Sequence, residues 1–215
     1  MAGDATNPET LRRLAEETRR LRESVASVSF AWANVENVMV MLLYAILRDD
    51  QGRFSSAIYF APSAIETRFT IVEKAIRELA DSTCCEKEII TSWGNVLSKL
   101  NALKDTRNKI AHGQISTMGS HGDKNYVRLT HPIFNIQETR RYRRRRQIPG
   151  LTLSDLETHL RLLYNIIEKL EAFRLIIDLL HAGDFSALKQ RLAELEADLP
   201  KRLMTLLPVR STCCS

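Results

Sequence analysis

The sequence predicts an all-α protein, a helical bundle with one long irregular or hairpin excursion between its third and fourth helices. Leu, Ala, Glu and Arg dominate most of the 215 residues, whereas eight Gly and six Pro are too few for many short strands and tight turns. Four segments open with a Ser or Thr followed three residues later by Glu: Thr6 with Glu9, Ser63 with Glu66, Thr83 with Glu86, and Ser154 with Glu157. Such pairs satisfy the free N–H groups of a helix start, and each here precedes a run of apolar residues at helical spacing.

The first helix is expected from about Pro8 to Arg48, bending near residues 24–29 and ending at the Asp49-Asp50-Gln51-Gly52 turn. The second spans roughly Ala64 to Ala80, with Ile65, Phe69, Val72 and Ile76 on one stripe. The third runs from about Cys85 to Ala111, closing where Gly113 can take the left-handed conformation of a helix end. Between Gln114 and Gly150 the helical period disappears, and Tyr126-Val127-Arg128-Leu129 alternates like a strand. A connection of that length is either functional or partly disordered. A fourth helix follows from Asp155 to Ala182 and a fifth from Asp184, stopping before Pro208. The fifth carries Leu188, Leu192, Leu195, Leu199 and Leu203, a stripe suited to packing or to strapping a dimer. Residues 1–215 thus read as a single helical domain, with 114–150 as the excursion and 184–215 as a C-terminal helix and tail. Phe30, Trp32 and Trp93 are expected in the core rather than as stacking platforms.

No secretory signal is visible, since the first 25 residues are charged at nearly every turn. The longest apolar run, Val38 to Leu47, is about half of the ~20 residues a bilayer requires. A soluble, cytoplasmic protein with no membrane partner is expected. Its formal charge of +5 is concentrated: without the six Arg of Arg140, Arg141, Arg143, Arg144, Arg145 and Arg146 it becomes −1. That run, with Tyr142 inside it, suits an RNA backbone with one aromatic for stacking, or else a solvated loop. The Cys fall in two adjacent pairs, Cys84-Cys85 and Cys213-Cys214, without the spacing of a tetrahedral zinc site, so reduced thiols, no metal and no cofactor are expected.

The chemistry-bearing residues gather at the end of the third helix, in the segment Lys99 to Gly113. At about 100° per residue, Asn101, Asp105, Asn108 and His112 share one narrow stripe. Arg107 falls roughly opposite, among Val96, Leu100, Leu103 and Ile110. A guanidinium on a burial face calls for an acid or a bound anion, and Glu36 in the apolar first helix is the candidate acid. The blander reading is a structural Arg-Glu pair beside an exposed His at a helix C-terminus.

Arg107-Asn108, three residues, then His112-Gly113, late in an all-helical chain, resembles the Arg-X4-6-His motif of HEPN domains, across about residues 24–180. The resemblance implies a paired helical bundle and a metal-independent endoribonuclease of the kind found in toxin-antitoxin and antiviral defence systems. It implies catalytic roles for Arg107, Asn108 and His112, with Asp105 and Glu36 as supporting groups, and an antitoxin or other regulatory protein as a further partner. Some members carry a Tyr two residues past the His that a nucleotidyltransferase modifies; here that position is Gln114, which speaks against that mode of silencing.

The chemistry stands without the family. RNA is cut with no metal when its own 2'-hydroxyl attacks the adjacent phosphate, provided a proton is moved and the added negative charge is stabilised. An imidazole serves the first need near neutral pH, and an Arg fork on phosphate oxygens serves the second. On a regular helix Arg107 and His112 point about 140° apart, so a shared site needs a distorted last turn or two subunits. Two copies facing one cleft, a homodimer, is what the resemblance implies. The competing class is a non-catalytic helical module that binds RNA, nucleotide or a protein.

Overall fold

A computed structural model describes residues 7–49, 51–81, 83–119, 125–130 and 150–197. The described residues form six α-helices and a two-stranded hairpin, so the fold is all-α apart from that hairpin. The helices are α1 (Pro8–Leu47), α2 (Arg53–Phe60), α3 (Ile65–Ala80), α4 (Glu86–Ala111), α5 (Leu153–Ala182) and α6 (Phe185–Ala197). The described residues divide into two compact units, one drawn from residues 7–41, 96–119, 125–130 and 150–170, the other from 42–49, 51–81, 83–95 and 171–197.

Helix α1 is continuous through residues 24–29, where the hydroxyls of Ser27 and Ser29 donate to the carbonyls of Glu23 and Val25 one turn back, the kind of bond that accompanies a bend. Its length and composition would suffice to cross a membrane, although 44% of its most apolar window is buried within the protein. The expected capping residues are largely displaced. At α1 the Asn7 side chain accepts from Glu9 N at 2.9 Å, and Thr6 lies outside the described residues. Helix α3 starts from Ala64 with no side-chain cap, and the Thr83 hydroxyl turns back to the Ala80 carbonyl. The reciprocal box before α5 is Thr152 with Asp155, two residues ahead of the expected pair: Asp155 Oδ2 accepts from Thr152 N and Thr152 Oγ1 from Asp155 N. Asp184, where the last helix was expected to start, caps α6 by accepting from Ala187 N at 3.0 Å, after Gly183 turns at φ 71°.

Helix α2 was not foreseen. Asp49 Oδ2 seeds it by accepting from both Ser55 N and Ser55 Oγ, which holds the Asp49 carboxyl below its ordinary range.

In the first unit the core draws Leu21, Val28, Trp32 and Val35 from α1, Val96, Leu100, Leu103 and Ile110 from α4, and Leu156, Leu163 and Leu170 from α5. Phe30 is not among them. It is 77% exposed, because it falls off the stripe that buries Val28, Trp32 and Val35. In the second unit Ile65, Phe69, Val72 and Ile76 of α3 are buried as the periodicity requires, with Trp93 against Phe173 at 5.1 Å between ring centroids. The Leu188, Leu192 and Leu195 stripe of α6 is buried too, while Leu199 and Leu203 lie outside the described residues.

His159 shows what burial does to a titratable group. It is only 4% exposed and its Nε2 accepts from Trp32 Nε1 at 3.2 Å, which requires a neutral ring. Burial lowers its pKa from 6.5 to about 4. Since the folded value lies below the unfolded one, the stability this ring contributes is complete above pH 6.5 and lost as pH falls towards 4, on the order of 3 kcal/mol in all. An NMR titration is expected to show the His159 ring still neutral at about pH 5.5. Protonation near its unperturbed value would contradict the buried hydrogen bond.

Candidate functional site

Helix α4 ends at Ala111, and the chain passes through His112 and Gly113 directly into β1 (Gln114–Gly119), which pairs antiparallel with β2 (Asn125–Thr130). The register runs from Gln114 opposite Thr130 to Gly119 opposite Asn125, and Leu129 also exchanges backbone hydrogen bonds with Leu151. Val127 and Leu129 are buried, which leaves Tyr126 and Arg128, half-buried, on the other face of β2. The strand alternation expected at residues 126–129 is present. The basic run Arg140 to Arg146 with Tyr142, and His121 and His131, lie outside the described residues.

Gly113 does not serve as the left-handed helix end expected of it, since its φ is not positive. The constraint is steric. A Cβ here would stand 2.7 Å from the Lys109 carbonyl oxygen and 2.8 Å from Leu129 Cγ and Cδ1, so only glycine lets β2 close onto the end of α4. Gly113→Ala is therefore expected to destabilise by about 1–3 kcal/mol, as overpacking does, rather than gain from a stiffer unfolded chain. A denaturation midpoint that stays level or rises would show that the strand yields.

The polar stripe of α4 is placed as its spacing implies: Asn101, Asp105 and His112 are exposed and Asn108 is half-buried. Arg107 leaves a burial stripe on which Val96, Leu100, Leu103 and Ile110 are all buried, and is itself half-buried. Its guanidinium Nη1 donates to Asn108 Oδ1 at 3.2 Å. That bond is to an amide oxygen, where Glu36 was the expected partner; Glu36 is half-buried on α1. The Asn108 backbone carbonyl meanwhile accepts from His112 N at 3.1 Å. Asn108 thus touches both of the residues it lies between.

A neutral amide satisfies one guanidinium N–H and cancels none of its charge. Arg107 therefore keeps its charge, half-buried near the end of α4. Arg128 adds a second guanidinium, 5.4 Å over the Tyr126 ring, with Nη1 bonded to the Val127 carbonyl at 3.0 Å. Arg128 pairs with Ser116, four residues past His112. The sequence alone did not show this stacked pair. Its signal was present in the alternation, which puts residues 126 and 128 together, opposite the buried Val127 and Leu129. Farther up α4, burial and then the nearby Lys169 hold the Lys99 ammonium below its ordinary range.

Among the described residues no three His, Cys, Asp or Glu are grouped to hold a metal ion. His159 is taken by Trp32, and His181 Nε2 lies 3.0 Å from the Ala45 carbonyl, so both have structural roles. Compared with known proteins, the chain matches no protein-family model, no curated protein and no solved structure.

Proposed function

We propose that the protein is a cytoplasmic, metal-independent endoribonuclease of the HEPN type, active as a homodimer in which Arg107, Asn108 and His112 of both subunits face one cleft. The observation that carries this reading is the bond from the Arg107 guanidinium to the Asn108 side-chain oxygen, with Asn108 one helical turn before the exposed His112. In the proposed reaction the imidazole of His112 takes the proton of the RNA 2'-hydroxyl. The oxygen attacks the adjacent phosphorus, and the Arg107 fork stabilises the added charge. The imidazolium gives its proton to the departing 5'-oxygen, leaving a 2',3'-cyclic phosphate and a 5'-hydroxyl. Asn108 aims the guanidinium, while Asp105, exposed on the same stripe, is a supporting group. Incubating the purified protein with total RNA tests this reading. Discrete fragments are expected, and an intact RNA pool over a range of protein concentrations would favour the non-catalytic binding module.

The basic run has its own test. If Arg140, Arg141, Arg143, Arg144, Arg145 and Arg146 track RNA phosphates, replacing several by Ser weakens binding and flattens its salt dependence by about 0.7 in slope per lost single-strand contact. Unchanged affinity and slope would make the run a solvated segment or a contact for a regulatory protein.

A further inference from the structure

Between α3 and α4 the chain makes a turn through Thr83, Cys84 and Cys85. The turn is pinned by Thr83, whose N–H and Oγ1 both bond the Ala80 carbonyl, at 3.0 and 2.7 Å. Cys85 stands just before α4, its carbonyl accepting from Ile89 N at 3.0 Å. The two thiols face each other, Sγ to Sγ 3.6 Å, with Cys84 exposed and Cys85 fully buried. Adjacent residues on a strand point to opposite faces and on a helix diverge by about 100°, so two neighbouring sulfurs meet only in a turn such as this one. We propose that Cys84 and Cys85 form a vicinal dithiol that hydroperoxides close to an intramolecular disulfide, a redox-sensitive site separate from the candidate RNA site.

The exposed sulfur reacts first. The Cys84 thiolate attacks one oxygen of the hydroperoxide, the O–O bond breaks, and the other oxygen leaves as water or an alcohol after taking a proton. Cys84 is then a sulfenic acid. The Cys85 sulfur next attacks the Cys84 sulfur, its proton and the departing hydroxide leave as water, and the S–S bond forms. Two thiols have been oxidised by two electrons and one peroxide bond reduced. Closing the eight-membered ring brings the sulfurs from 3.6 Å to about 2.05 Å. Neighbouring Cα atoms stand closer than in an ordinary disulfide, so the ring is strained and readily reduced again. Burial pushes the Cys85 thiol up, with Cys84 and Glu88 adding to it and Lys189 opposing. Cys85 is thereby kept from reacting with peroxide itself and is left to resolve the sulfenic acid beside it.

The test uses the full chain with Cys213→Ser and Cys214→Ser, so that only this pair can react. After a stoichiometric dose of hydrogen peroxide the intact protein is expected to weigh less by two hydrogens, reversibly with dithiothreitol, and peptides holding Cys84 and Cys85 should carry the loss. Adding Cys85→Ser should instead leave a sulfenic acid on Cys84 that dimedone traps, while adding Cys84→Ser should leave Cys85 unmodified at the same dose. Oxygen addition without loss of two hydrogens in the parent, a disulfide between chains, or dimedone capture at Cys85 would each overturn the proposal. Melting curves of the reduced variants confirm that each is folded when dosed.

Discussion

His112→Ala is expected to abolish RNA cleavage, lowering the rate by about 10²- to 10⁴-fold, the contribution of a positioned general acid-base. His112 is exposed beyond the last residue of α4, and its held group is the backbone N–H bonded to Asn108, which alanine retains. The variant should therefore melt with the wild type and bind RNA with unchanged affinity and salt dependence, so that a loss of rate reads as a loss of chemistry. A His112→Ala protein that cuts RNA at the wild-type rate removes the imidazole from the mechanism.

Arg107→Ala should cost about 10²- to 10³-fold in rate, the scale for losing one preorganised charge stabiliser. Arg107→Lys should recover part of it, since an ammonium keeps the charge but not the planar fork. Alanine also removes the bond to Asn108, worth about 1 kcal/mol, so this variant should melt slightly lower. Mixing separates the two effects. If one cleft draws its Arg from one subunit and its His from the other, Arg107→Ala and His112→Ala proteins, each inactive, should regain activity when their subunits are exchanged. No recovery after confirmed exchange would mean that each subunit works alone or that the site is not composite.

The helices were legible because a buried stripe writes its period into the sequence. Ile65, Phe69, Val72 and Ile76 needed no structure to be placed inside. Helix starts were less legible, because several side chains meet the same requirement: Asn7 serves α1, and Thr152 with Asp155 does for α5 what Ser154 with Glu157 was expected to do. Helix α2 left no sign, since eight residues span barely two turns and its seed is Asp49, which reads as part of a turn. Gly113 was read as a constraint, but the reason is contact with Leu129 on a strand that closes from later in the chain, and no local rule contains that. At the candidate site the stripe of Asn101, Asp105, Asn108 and His112 came from spacing alone. The Arg107–Asn108 bond did not, because neighbouring helical residues diverge and only the length of an Arg side chain brings its head back to the next residue.

The central claim is metal-free cleavage by the RNA's own 2'-hydroxyl, and the ends of the products test it most directly. Wild-type protein and RNA are incubated with excess EDTA and the fragments analysed by mass spectrometry. A 2',3'-cyclic phosphate is expected on one fragment and a 5'-hydroxyl on the next. Cleavage that stops in EDTA, or fragments that carry a 5'-phosphate, would contradict it.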